Sequence, residues 1–153
     1  MERVLHKIMM YKLGLIFCGI FLVSTVSPLA SGDVIRDRQL NFKLSKKSMK
    51  ALREAIKIED LSGAQKAVNF HIDWSGKLVS YFPPESGASM NNNSDASGDI
   101  WEDFERFQKM NLDYAQATSR LNSALILSDF ELASKNFFSM AKACKDCHET
   151  FRN

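Results

Sequence analysis

The chain has 153 residues, 45% hydrophobic and 25% charged, which suits one globular domain around one core. Setting aside residues 1–30, Lys plus Arg falls from 20 to 17 and Asp plus Glu from 18 to 17, so the remainder is close to neutral. That balance argues against nucleic acid or an anionic membrane surface as a partner and offers no docking patch, and Lys46-Lys47 reads as a solvated face.

Residues 1–30 read as a secretory signal peptide. Arg3, His6, Lys7 and Lys12 precede an apolar run from Leu13 to Val26, followed by Ser27, Pro28, Leu29 and Ala30, with cleavage expected after Ala30. The run is short for a membrane span, so no stable anchor is expected after cleavage. Cys18 follows Phe17, where a lipoprotein signal needs a small residue, and is discarded with the segment.

Residues 31–153 then form the mature domain, and its first helix is predicted over about 34–58. Ile35, Phe42, Ser45, Met49, Leu52 and Ile56 recur at helical spacing on its inner face. A second helix, about 61–82, carries Leu61, Ala64, Val68, Ile72, Ser75, Val79 and Phe82; Asp60 or Ser62 caps it and Pro83-Pro84 ends it. The polar stretch from Glu85 to Gly98 reads as one long surface loop, either mobile or laid over something.

A third helix, about 100–127, is expected to open on an Asp99/Glu102 capping box, with Trp101, Phe104, Phe107, Asn111, Tyr114, Thr118, Leu121 and Leu125 inward. The fourth, about 129–152, repeats the box with Ser128 and Glu131 and turns Phe130, Ala133, Phe137, Ala141, Cys144, His148 and Phe151 inward. Four amphipathic helices with no strand pattern predict an all-α antiparallel four-helix bundle.

Cys144-Lys145-Asp146-Cys147-His148 is the motif around which the rest is arranged. Two cysteines three apart followed by histidine are the attachment signature of c-type haem: one helical turn puts both thiols on one face, where they reach the vinyl groups of one porphyrin. His148 then stands as the proximal iron ligand. A zinc site would need a fourth ligand, for which the mature chain has only His71 as a further histidine. A Cys144–Cys147 disulfide or redox dithiol would be expected beside a βαβ pattern, which this chain lacks. Export agrees with haem c, which is attached outside the bacterial cytoplasmic membrane.

The signal peptide, four helices, the Phe-Pro ending the second, the Ile-Trp-Glu-Asp opening the third and the C-terminal CKDCHETFR together resemble the cytochrome c′ family. The resemblance spans the whole mature chain and implies one covalently attached haem c and a periplasmic location. By the same analogy Arg38 and Gln39 meet a haem propionate, Arg152 lies in the proximal pocket, and Phe42 faces the iron from the distal side. Phenylalanine has no lone pair to donate, so it would cover a five-coordinate iron.

The function expected is a periplasmic haem protein that binds small diatomic gases such as NO and CO and is capable of electron transfer. The alternative is a dedicated electron-transfer carrier with a redox partner protein. No distal His or Arg suited to O–O cleavage is present, so an enzyme is not expected. The family also implies a homodimer through the first two helices, for which Leu40, Leu44 and Phe70 are candidate contacts.

Overall fold

The computed structural model describes residues 31–90 and 92–153; the signal peptide expected over residues 1–30 lies outside them. The described residues form α1 (Ser31–Lys57), α2 (Leu61–Lys77), a short α3 (Asp99–Glu102), α4 (Phe104–Ile126) and α5 (Phe130–Phe151). The four long helices pack in a ring, α1 on α2, α2 on α4, α4 on α5 and α5 back on α1. The expected four-helix bundle is therefore the architecture found, and its α1–α5 side is the most sparsely packed.

Two tight turns of the same design make neighbouring helices antiparallel. Glu59 (φ 56°) and Ser128 (φ 55°) end α1 and α4 in the left-handed conformation. The next residue, Asp60 or Asp129, sends its N–H back to Ala55 or Ala124 and caps the following helix through its carboxylate. Asp60 accepts from Gly63 N–H at 3.0 Å, and Asp129 accepts from Leu132 N–H at 2.9 Å. Asp60 rather than Ser62 is thus the cap of α2, and the cap of α5 is Asp129 rather than the expected Ser128.

The second and third predicted helices need correcting. α2 stops at Lys77, and Leu78–Tyr81 continues as a 3₁₀ turn. Of its expected inner face Ala64, Val68, Ser75 and Phe82 are buried but Leu61 and Ile72 are exposed, while Ala67, His71 and Trp74 join the core and widen the face to that side. The third helix breaks at Asp103, whose carboxylate accepts from Arg106 N–H at 3.1 Å and starts α4. No Asp99/Glu102 capping box forms; Ser97 Oγ instead accepts the Asp99 N–H at 3.2 Å and donates to its carboxylate at 2.8 Å. Aspartate competes well for the amides of a first turn, and so sets a helix start where apolar spacing alone would run through.

The loop over 85–98 is laid over the bundle. Ala88 N–H bonds Ala96 O, Ser97 N–H bonds Phe151 O, and Asn153 N–H bonds Asp95 O, which ties the loop to the end of α5. Gly87 lies against Trp101, whose ring a Cβ at that position would meet at 2.9 Å. Trp101 in turn donates its indole N–H to Phe82 O at 3.1 Å. Below, Leu52, Val68, Trp74, Phe107, Leu121, Leu125 and Met140 make the dry centre. Burying side chains of this size stabilises by about 1.5–3 kcal/mol each.

Candidate functional site

Cys144 and Cys147 lie half-buried on one face of α5, one turn apart, and both thiols are free. Burial pushes both thiols up to about 11, helped at Cys144 by the charge of Cys147, so each is a neutral S–H at pH 7. His148 follows on the same helix, exposed, with its ring edge-on to Phe42 of α1 at a centroid distance of 5.8 Å. Desolvation and then the nearby Arg152 lower its pKa, which favours the neutral imidazole that a metal ligand needs. Of the sequence-predicted site residues, Phe42 and His148 therefore meet across the open α1–α5 side, while Cys144 and Cys147 pack against the core from the same helix as His148.

Behind Phe42 stands an aromatic wall. Its ring meets Trp74 at 5.4 Å and Phe82 at 6.5 Å, and Phe82 continues through Phe107 at 4.8 Å to Phe151 at 5.4 Å. The sequence reading assigned Trp74 no role and left it off the inner face, because taking Ile72 as an inward residue turned α2 the wrong way. The run Ala64, Ala67, Val68, His71, Trp74, Ser75, Leu78 carried the correct phase.

Arg38 is only 3% exposed, and its guanidinium lies 4.3 Å over the Phe82 ring. One terminal nitrogen donates to Tyr81 O at 3.0 Å and Ser86 Oγ at 2.9 Å, the other to Ser86 O at 2.9 Å and Ser94 Oγ at 2.7 Å. Of the five N–H donors of an arginine, only Nε–H is left over. Gln39 donates to Asn93 O at 2.6 Å. Arg152 pairs with Asp95 at 2.7 Å on the surface and forms an antiparallel backbone bridge with Ala96. The residues expected at the propionates and the proximal side are thus all anchored to the same loop.

Whether these residues suit a haem can be judged from Arg38. A buried charge is normally paired, yet none of the Arg38 partners is a carboxylate among the described residues, and burial lowers its pKa. A haem propionate would supply that anion beside the Phe82 end of the aromatic wall, and two half-buried thiols one turn apart on α5 suit covalent attachment, so the residues fit the group. Zinc is disfavoured: His71 is spent in the core, where its Nδ1 meets the Tyr114 hydroxyl at 2.7 Å. Among the described residues no three His, Cys, Asp or Glu are placed to hold a metal ion.

Residues 33–152 match the family model described as cytochrome c′. This chain belongs to the cytochrome c′ family. Cytochromes c′ carry one covalently bound c-type haem, and Cys144 and Cys147 fit its attachment motif. The cytochrome c′ of Rubrivivax gelatinosus superposes with a TM-score of 0.72 at 22% identity, covering 80% of this chain and 97% of that one. A ferrous variant of the Alcaligenes xylosoxidans cytochrome c′ with bound NO superposes with a TM-score of 0.73 at 19% identity, covering 82% and 98%. A cytochrome c′ described by its ligand-controlled dimer dissociation gives 0.76 at 17% identity, again covering 82% and 98%. These likenesses concern the fold. No curated protein sequence matches the chain.

Proposed function

We propose that this cytochrome c′ is an exported haem protein that binds small neutral diatomic gases, nitric oxide and carbon monoxide among them, and also exchanges electrons. The observation that carries the reading is the Phe42 ring facing His148 across the α1–α5 opening at 5.8 Å. When bound, the haem supplies an iron that takes a small ligand and gives or accepts one electron. His148 would hold that iron through its imidazole, and Cys144 and Cys147 would hold the porphyrin on α5 through thioether bonds. Phe42 would place hydrocarbon rather than a lone pair near the iron, favouring small neutral ligands over bulky or anionic ones. Met49, on the same stripe, packs against the core.

Arg38, through its remaining Nε–H, and Gln39 hold a propionate, and Arg152 lines the proximal side. Among the described residues no His or Arg accompanies Phe42 opposite His148 to assist O–O cleavage, so peroxide turnover is not part of the proposed role. Residues 1–30 are removed on export to the periplasm, leaving 31–153 as the working domain, in keeping with a family match that begins at residue 33. The NO complex of the Alcaligenes xylosoxidans relative supports gas binding, and the dimer of another supports pairing of two copies, which we assign to α1 and α2. Leu40 and Leu44 are exposed on α1 for such a contact, whereas Phe70 is half-buried against His71.

Absorption and resonance Raman spectra of the protein matured with haem c test the reading. A five-coordinate high-spin ferrous spectrum that changes on addition of carbon monoxide is expected. Low-spin six-coordinate iron in both oxidation states would overturn it.

A further inference from the structure

The near-neutral mature chain conceals a strong separation of charge. α1 carries eight basic and three acidic side chains, while residues 58–153 carry nine basic and fourteen acidic ones. Between Asp37 and Glu54 the helix has no carboxylate at all. At 100° per residue, Lys43, Lys46, Lys50, Arg53 and Lys57 fall within an arc of about 80° whose near edge lies about 20° from Phe42. All five are exposed, and none pairs with a carboxylate within 4.0 Å among the described residues.

The structure shows which way this stripe faces. At its C-terminal end Arg53 and Lys57 line a groove with Phe130, Phe137 and Phe138 of α5, where Glu59 and Glu131 also lie, so the net positive part of the stripe is Lys43, Lys46 and Lys50. At its N-terminal end Gln39, on the same arc, reaches Asn93 of the loop that holds the end of α5. Between them lies the opening where Phe42 faces His148. Overall neutrality therefore misleads about docking: the stripe borders the sparsely packed α1–α5 side of the bundle, where Phe42 faces His148.

We propose that the basic stripe of α1 docks an acidic electron-exchange protein and holds it beside that opening, an assignment that rests on the haem reading above. Five cations with a single carboxylate of their own helix, Glu54, at the edge of their arc set up a local field that a charge-neutral molecule would otherwise lack, and such a field steers an acidic surface to this face. One electron then passes between the partner's redox group and the iron; no proton or other group moves. The partner is a one-electron donor or acceptor.

Two small oxidants of opposite charge test this on the ferrous, haem-loaded protein: ferricyanide and tris(phenanthroline)cobalt(III), each accepting one electron. The rate with ferricyanide should fall several-fold as salt rises from about 0.01 M to about 0.15 M, while the rate with the cobalt complex rises. Replacing Lys43, Lys46 and Lys50 together by Glu should invert both trends and leave carbon monoxide binding unchanged. Salt-insensitive rates, or the same trend with both oxidants, would overturn the proposal.

A second readout does not depend on redox activity. Titration with poly-glutamate should shift backbone amide resonances along the stripe of α1, and shifts elsewhere count against it. Salt-sensitive sedimentation with phosphatidylglycerol vesicles, joined to salt-insensitive ferricyanide rates, would assign the stripe to a membrane and overturn the proposal. Failure of the haem reading is separately visible, because the protein would then show no covalent haem spectrum while the poly-glutamate titration still reports on the stripe.

Discussion

Phe42 and His148, on helices that meet along the most open side of the bundle, present their rings edge to face at 5.8 Å with an angle of 69° between planes. On the proposal that His148 ligates the iron, position 42 stands opposite the ligand. Phe42→Met places a thioether there and should convert the ferrous protein to a low-spin six-coordinate form with carbon monoxide affinity reduced at least about tenfold, or about 1.4 kcal/mol. Phe42→Ala should raise the carbon monoxide association rate by a similar factor. Flash photolysis reads both; an unchanged affinity and rate in Phe42→Ala would remove Phe42 from the role of cover.

Arg38 joins α1 to three points of the connection between α2 and α3. Its replacement by Ala removes four hydrogen bonds from a charged donor and leaves fully buried Ser86 held only by its bonds to Pro83 O and from Ser94 Oγ. A loss of about 3–5 kcal/mol in unfolding free energy is expected by urea titration. Arg38→Lys keeps the charge but not the fork, and should recover less than half of that.

His71 is fully buried, and desolvation lowers its pKa from 6.5 to about 4. Above pH 6.5 the ring is neutral in both folded and unfolded chains, so its contribution is fully present. Below that pH the unfolded chain takes up a proton first, and stability falls until the folded ring also titrates near pH 4. The decline should reach about 3 kcal/mol between those limits. In His71→Gln the profile should flatten by that amount; an unaltered slope would mean the acid sensitivity arises elsewhere.

Ser128 holds a positive φ that costs a side chain roughly 1 kcal/mol relative to glycine. Ser128→Gly should therefore raise the denaturation midpoint, and Glu59→Gly should do the same at the matching turn. Ser128→Val should lower it, since branching at Cβ worsens the left-handed conformation.

The bundle was legible because long apolar periodicities are its direct cause, and the covalent site because thiol, thiol and imidazole are packed into five consecutive residues. What escaped had local or distant causes. The phase of α2 turned on choosing Ile72 over His71 and Trp74, and a histidine enters a core only when a partner such as Tyr114 is brought 43 residues across the chain to meet it. The break at Asp103 depended on one carboxylate outcompeting a continuous stripe. The basic face of α1 is legible from the spacing of its lysines but reads as merely solvated when charges are summed over the whole chain, since opposite charges on different helices cancel in a total but not in space.

The chain has two tryptophans, and both lie against this site: Trp74 packs on Phe42, and Trp101 bonds the carbonyl of Phe82. Indole emission overlaps porphyrin absorption, so a haem fixed to Cys144 and Cys147 would extinguish nearly all of the protein's ultraviolet fluorescence. The fold thus contains an optical gauge of its own maturation, bright before attachment and dark after it, readable without any label.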